Sequence, residues 1–132
     1  MISLCKIDGV SYDVLVTAIQ NTAEVQEGAN KGVAIERDRE IRDITGIKIG
    51  HSITFDYDKD PYAFDALYSY LFDNIRPSVI LEVVHNQKTI TYEAAYNTGS
   101  RSVSHIDDTN DVVYWSELTV AFRPIENQIN AE

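Results

Sequence analysis

The chain has 132 residues, 44% hydrophobic and 24% charged, a balance that suits one globular domain spanning 1–132. Its 11 basic and 21 acidic residues leave a net charge of −10. That charge argues against sequence-specific nucleic-acid binding and against attachment to anionic lipid, both of which need a basic footprint. The single cysteine, Cys5, excludes an internal disulfide framework and every multi-cysteine zinc site.

At this length about two-thirds of the unfolded surface can be buried, so a core without staples is expected. No apolar run approaches the roughly 18 residues of a membrane span. The opening Met-Ile-Ser-Leu-Cys-Lys-Ile-Asp lacks the long apolar stretch of a signal peptide. With one free thiol, these features predict a chain made in the cytoplasm.

The β signals begin at once. Residues 3–7 and 10–19 flank Asp8-Gly9, and an Asp-Gly pair between apolar runs predicts a hairpin with a type I′ turn. In the second run Tyr12, Val14 and Val16 share one face, while Asp13, Leu15 and Thr17 share the other. Apolar residues on both faces predict a strand covered on two sides, at least in part.

Residues 20–46 read differently. They are rich in Glu, Asp and Arg, hold three glycines, and contain only sparse apolar residues such as Val25, Val33, Ile35, Ile41 and Ile44. Such a segment cannot bury itself in its own core. It is either a solvated hairpin or loop, or a long β arm that orders against a neighbouring subunit. A structureless segment of this length inside a compact domain is often functional.

Residues 47–57 alternate with period two, placing Ile47, Ile49, His51, Ile53, Phe55 and Tyr57 on one face. His51 reads as a hydrogen-bonded histidine at the core edge. The period then changes. Asp60 is a good N-cap and Pro61 suits the first helical position. Phe64, Leu67, Tyr68, Leu71, Phe72 and Ile75 form one amphipathic stripe, which predicts a helix over 61–75 packed on a sheet. Residues 78–85 and 88–96 form a second hairpin pattern around Asn86-Gln87, and 97–110 reads as a long polar loop. Residues 112–123 close the domain. Tyr114, Leu118, Val120 and Phe122 share one face there and Trp115 lies on the other, so one of the two adjacent aromatics is expected to face something beyond the core. Residues 127–132 read as a loose tail.

Chemistry is sparse. Asp56-Tyr57-Asp58-Lys59-Asp60 resembles the start of a calcium loop. Pro61 occupies the position that needs a turn glycine, however, and Leu67 the position of the bidentate glutamate. His51, His85 and His105 fit no metal-ligand spacing. Cys5 reads as a buried free thiol with no base to activate it. No phosphate-binding glycine loop and no nucleophile elbow is present. The sequence thus predicts no catalytic residue, no metal and no cofactor.

Four stretches together resemble small tail proteins encoded in the structural cassettes of tailed phages and prophages of Gram-positive bacteria. They are residues 7–16 (Ile-Asp-Gly-Val-Ser-Tyr-Asp-Val-Leu-Val), the charged 37–46 segment from Arg-Asp-Arg to Asp-Ile-Thr-Gly, the Asp60-Pro61 helix start, and the close over 114–122. The resemblance implies a mainly β, α+β fold like the tail-tube family: a β-sandwich or small barrel with one flanking helix and a long charged hairpin. It also implies a non-enzymatic virion protein that forms homomeric rings, often hexamers, with other tail proteins as partners. The part played would be tube, distal-tail adaptor or completion protein. An acidic ring suits passive conduction of DNA, because a negative lumen repels phosphate.

The arm over 20–46 occupies the place of the long hairpin and is the expected oligomer contact, through Val25, Val33, Ile35, Arg37, Arg39, Ile41, Arg42 and Ile44, with Trp115 as a further contact. The alternative is a monomeric bacterial β-sandwich module that binds carbohydrate or calcium, with a small hydrolase more distant. Solution mass discriminates between a ring and a monomer.

Overall fold

A computed structural model of the chain describes residues 5–27, 32–34, 39–41, 44–126 and 129–130. For 27, 32–34, 39–41, 44–45 and 129–130 it describes the main chain only. The fold is mainly β with one helix, and its antiparallel sheet curls into a half-barrel. The strands are β1 (Cys5–Ile7), β2 (Val14–Glu27), β3 (Gly32–Ala34), β4 (Arg39–Ile41) and β5 (Ile44–Tyr57). The helix α1 (Pro61–Phe72) follows. After it come β6 (Val79–His85), β7 (Lys88–Ala95), β8 (Gly99–Asp107), β9 (Val112–Pro124) and β10 (Ile129–Asn130). The main sheet runs β1-β6-β7-β9-β5-β10, with β2 added on β5 and β8 on β9.

The Asp8-Gly9 turn forms as its residues dictate. Both have positive φ, 51° and 80°, and Ile7 and Val10 exchange main-chain hydrogen bonds at 3.0 Å. The turn does not continue into the expected hairpin. β1 pairs with β6, and β2 pairs with β5. Asp8 explains the choice of partner. Its amide donates to the Ile80 carbonyl at 2.8 Å, its Oδ1 accepts from the Ile80 amide at 2.6 Å, and its Oδ2 accepts from the Tyr70 hydroxyl. Arg76 lies over the Tyr70 ring at 3.7 Å and donates from Nε to the Tyr70 carbonyl. The turn is therefore tied to β6 and the helix end.

β2 is not covered on both faces. Tyr12, Val14, Val16 and Ile19 pack on the core, but Leu15 is exposed. A register shift between Val16 and Ala18 explains why the buried residues move from even to odd positions.

The core gathers Ile53 and Phe55 of β5, Phe64, Leu67 and Leu71 of α1, Leu81 and Val83 of β6, and Leu118, Val120 and Phe122 of β9. The β5 alternation is as the period predicts. Asp60 caps α1, accepting from the Tyr62 amide at 2.9 Å. The helix ends at Phe72, three residues before the expected Ile75, which is fully solvent-exposed. The bond from the Asp73 amide to the Ser69 carbonyl closes the last turn, and Ile75 leads out towards Pro77.

Two further expectations are corrected. Residues 97–110 contain β8, nine residues long and paired along β9. Its side chains are mostly exposed, so main-chain pairing holds it and hydrophobic pattern could not announce it. Part of the expected tail also pairs, with Ile129 opposite Ile47 and Asn130 opposite Gly46.

Candidate assembly edges and the root of the arm

The charged 20–46 segment is in large part a β ribbon. β2 and β5 are each 14 residues long and pair from Val14↔Tyr57 to Glu27↔Ile44, with register shifts between Val16 and Ala18 and between Gln26 and Glu27. β3 and β4 then pair as a separate two-stranded unit. The ribbon persists because polar residues can pair through the main chain as apolar ones do, and because charges such as Glu24 and Lys48 stand directly opposite. Residues 21–25 are exposed, although Ile49, opposite Ala23, is buried, so it is the β2 side of the ribbon that faces solvent.

The expected contact residues divide as follows. Val25 is exposed on this ribbon. Val33, Arg39, Ile41 and Ile44 lie on described main chain, but their side chains, together with Ile35, Arg37 and Arg42 altogether, lie outside the described residues. Trp115 does not share an outward face. It packs against the core, with the Arg101 guanidinium 4.2 Å above its ring. Tyr114 is instead the residue aimed away. It stacks on His105 at 4.2 Å between centroids and touches Tyr57 at 5.3 Å. The exchange of faces follows from Glu117, whose φ of 57° marks a bulge where the β8–β9 register shifts by one.

One four-stranded run, β8-β9-β5-β2, ends in open edges on both sides. Among the described residues, β2 pairs only with β5 and β8 only with β9. The β8 edge carries exposed Val103 and Ile106, at 46% and 58%. Over 14–23 the β2 edge has no Lys, Arg, Glu, Asp or Pro, the devices that usually blunt an exposed edge. Arg101 anchors β8 to α1: it pairs with Asp65 at 3.0 Å and lies 3.7 Å over the Tyr68 ring. Sequence reasoning missed this anchor, because Arg101 sat in a segment that reads as a loop.

At the arm's root four strands meet through polar side chains. His51 on β5 is 2% exposed. Its Nδ1 lies 2.8 Å from the Tyr92 hydroxyl on β7, and its Nε2 lies 3.2 Å from Nδ2 of Asn21 on β2. The same Asn21 nitrogen is 3.3 Å from Nδ1 of His85 on β6. Burial, and then the charge of His85, push His51 down to about 4, so it is neutral near pH 7. Its expectation as a hydrogen-bonded core-edge histidine holds. Beside this root an open groove of about 420 Å³ runs between Thr22, Glu24, Lys48, Ser52, Ala121 and Arg123.

The remaining candidate chemistry is already engaged. Asp56 Oδ1 accepts from the Tyr57 amide and Asp60 caps the helix. Among the described residues no group of three His, Cys, Asp or Glu is placed to hold a metal ion, and no helix is long and apolar enough to cross a membrane. Burial first, then the charge of Glu82, push the half-buried Cys5 thiol up to about 12, so it stays protonated and poorly nucleophilic. Comparison of the chain with protein-family models, with curated proteins and with solved structures gave no match.

Proposed function

We propose that the chain is a non-enzymatic structural subunit that assembles with its own copies, edge to edge, into a closed ring in a phage tail. The observation that carries this reading is the β8-β9-β5-β2 run with an open edge at each end. Two different edges on one subunit make a heterologous, head-to-tail contact, which closes into a ring when the rotation between copies divides a full turn. Main-chain pairing between β8 of one copy and β2 of the next supplies affinity. The exposed apolar residues Leu15, Val25, Val103 and Ile106 supply burial. Exposed ion pairs at the arm contribute about 0–1 kcal/mol each and set register more than affinity.

The resemblance to tail proteins supplies the setting: a virion, six copies per ring, other tail proteins above and below, and DNA passing through an acidic lumen. The test is solution mass by light scattering. The parent should show a ring-sized species. Val103→Lys with Ile106→Lys, and separately removal of residues 24–43 with a short Gly-Ser bridge, should give monomers with unchanged far-UV circular dichroism. A parent that stays monomeric at millimolar concentration, or lysine variants that assemble like the parent, refutes the reading.

A further inference from the structure

The polar cluster at the arm's root has a geometry that a merely structural core would not need. One amide nitrogen, Nδ2 of Asn21, reaches two imidazoles at once, at 3.2 Å to His51 and 3.3 Å to His85. An amide NH₂ has two hydrogens, so it can donate one to each ring, provided that both ring nitrogens are bare. His51 then carries its proton on Nδ1 and donates it to the Tyr92 hydroxyl. Turned over, the same amide presents its oxygen and accepts from rings that carry a proton there. Either orientation joins β2 and β5, the base of the ribbon, to the β6–β7 hairpin.

We propose that Asn21, His51 and His85 form an acid-sensitive clasp that fastens the root of the β2–β5 ribbon to the β6–β7 hairpin at neutral pH and opens when both imidazoles are protonated. The rings stand edge to face with centroids 6.1 Å apart. One proton in the pair is accommodated by turning the amide oxygen towards the imidazolium. Two protons place like charges side by side around a buried ring, which is disfavoured by repulsion and by desolvation together.

The surroundings offer no relief. Facing His51 are neutral Asn21 from β2, Tyr92 from β7, His85 from β6, and, directly opposite on β9, apolar Phe122. Burial, and then the charge of Cys5, push the Tyr92 hydroxyl up, so neither group supplies a negative charge. Lys88 stands opposite His85 across the β6–β7 turn and adds positive charge. On the flanking strands Glu82 is paired with Lys6 at 3.9 Å, and Glu24 stands opposite Lys48. Arg123 follows Phe122 on β9.

The clasp is a property of the single chain and does not rest on ring formation. The experiment is amide hydrogen exchange of the full chain at pH 7 and pH 4, corrected for the intrinsic rate, with solution mass recorded at each pH. Protection over residues 19–23 and 49–53 should fall at least tenfold at pH 4, while α1 and β9 keep theirs. His85→Gln retains a hydrogen-bonding partner for Asn21 and lacks the charge. Because His85 is only half-buried, this variant should fold, and its root should lose at least threefold less protection at pH 4 than the parent's.

A second readout is the histidine ¹⁵N spectrum, in which the parent at pH 7 should show neutral His51 protonated on Nδ1. Loss of root protection in His85→Gln equal to the parent's, a parent whose root is equally protected at both pH values, or a charged His51 at pH 7 overturns the clasp. Failure of the ring reading would appear in the mass alone.

Discussion

Replacing Gly99 by alanine tests how the first residue of β8 meets the helix. A Cβ at this position would lie 2.4 Å from Cε2 and Cζ of Phe72 and 3.3 Å from Cδ1 of Leu118. Carbon contacts are comfortable at about 3.5–4.0 Å, so the Phe72 ring must retreat by roughly 1–1.5 Å. That ring is held. It lies 5.4 Å from Tyr68 on one side and 5.4 Å from Tyr96 on the other, edge to face with the latter. Tyr96 is itself fixed, donating to the Leu71 carbonyl at 2.6 Å and contacting Phe122 at 5.7 Å. Aromatic contacts of this kind contribute about 0.5–1.5 kcal/mol each beyond burial, and overpacking typically costs about 1–3 kcal/mol. Phe72 is only half-buried, so outward movement limits the cost to that range. Gly99→Ala should therefore destabilise by about 1–3 kcal/mol, lowering Tm by roughly 4–12 °C. Urea unfolding followed by Trp115 fluorescence and circular dichroism reads it, with an unchanged denaturant slope. In a Phe72→Ala background the obstacle is gone, and the same substitution should cost under about 0.5 kcal/mol. A cost below half a kilocalorie in the parent, or an equal cost in both backgrounds, refutes the steric argument.

Leu67→Ala and Leu71→Ala, at positions 1% and 2% exposed, should each cost about 2–5 kcal/mol in the same unfolding assay, as core truncations do. Stability should also fall with acid through His51. Its pKa is depressed in the fold to about 4 from 6.5, so the unfolded chain takes up the proton first. The contribution is whole above about pH 6.5 and is lost as pH falls towards 4, by at most roughly 3 kcal/mol. The difference in unfolding free energy between parent and His51→Gln, measured from pH 7.5 to 4, should shrink over that window; a constant difference counts against it. Calorimetry with millimolar calcium should give no saturable heat, because Asp56 and Asp60 already accept main-chain hydrogen bonds. A one-to-one isotherm would revive the binding-module reading.

The elements legible in the sequence were those whose hydrophobic period matches their own geometry. β5 alternates strictly and buries Ile49, His51, Ile53 and Phe55. α1 carries a stripe at 3.6 spacing and a capping Asp60. The type I′ turn at Asp8-Gly9 needs only its two local residues. These features depend on neighbours a few positions away, so a single chain can display them. The sparse apolar residues of 20–46 likewise pointed to a segment outside the core, and Val25 on the outer ribbon is exposed.

What only the tertiary structure decided depends on partners distant in the chain. β1 joins β6 because Asp8 finds Ile80 and Tyr70 more than 60 residues away. β8 is a strand because β9 offers it a ladder and because Arg101 finds Asp65, Tyr68 and Trp115; its own polar residues carry no period to read. The bulge at Glu117 turns Trp115 inward and Tyr114 outward, since one extra residue in a ladder reverses every face beyond it. The root cluster of Asn21, His51, His85 and Tyr92 joins residues up to 71 positions apart. Short-range periodicity reports what a residue prefers to be next to water or core, and it carries no information about which remote strand will supply the hydrogen-bonding edge.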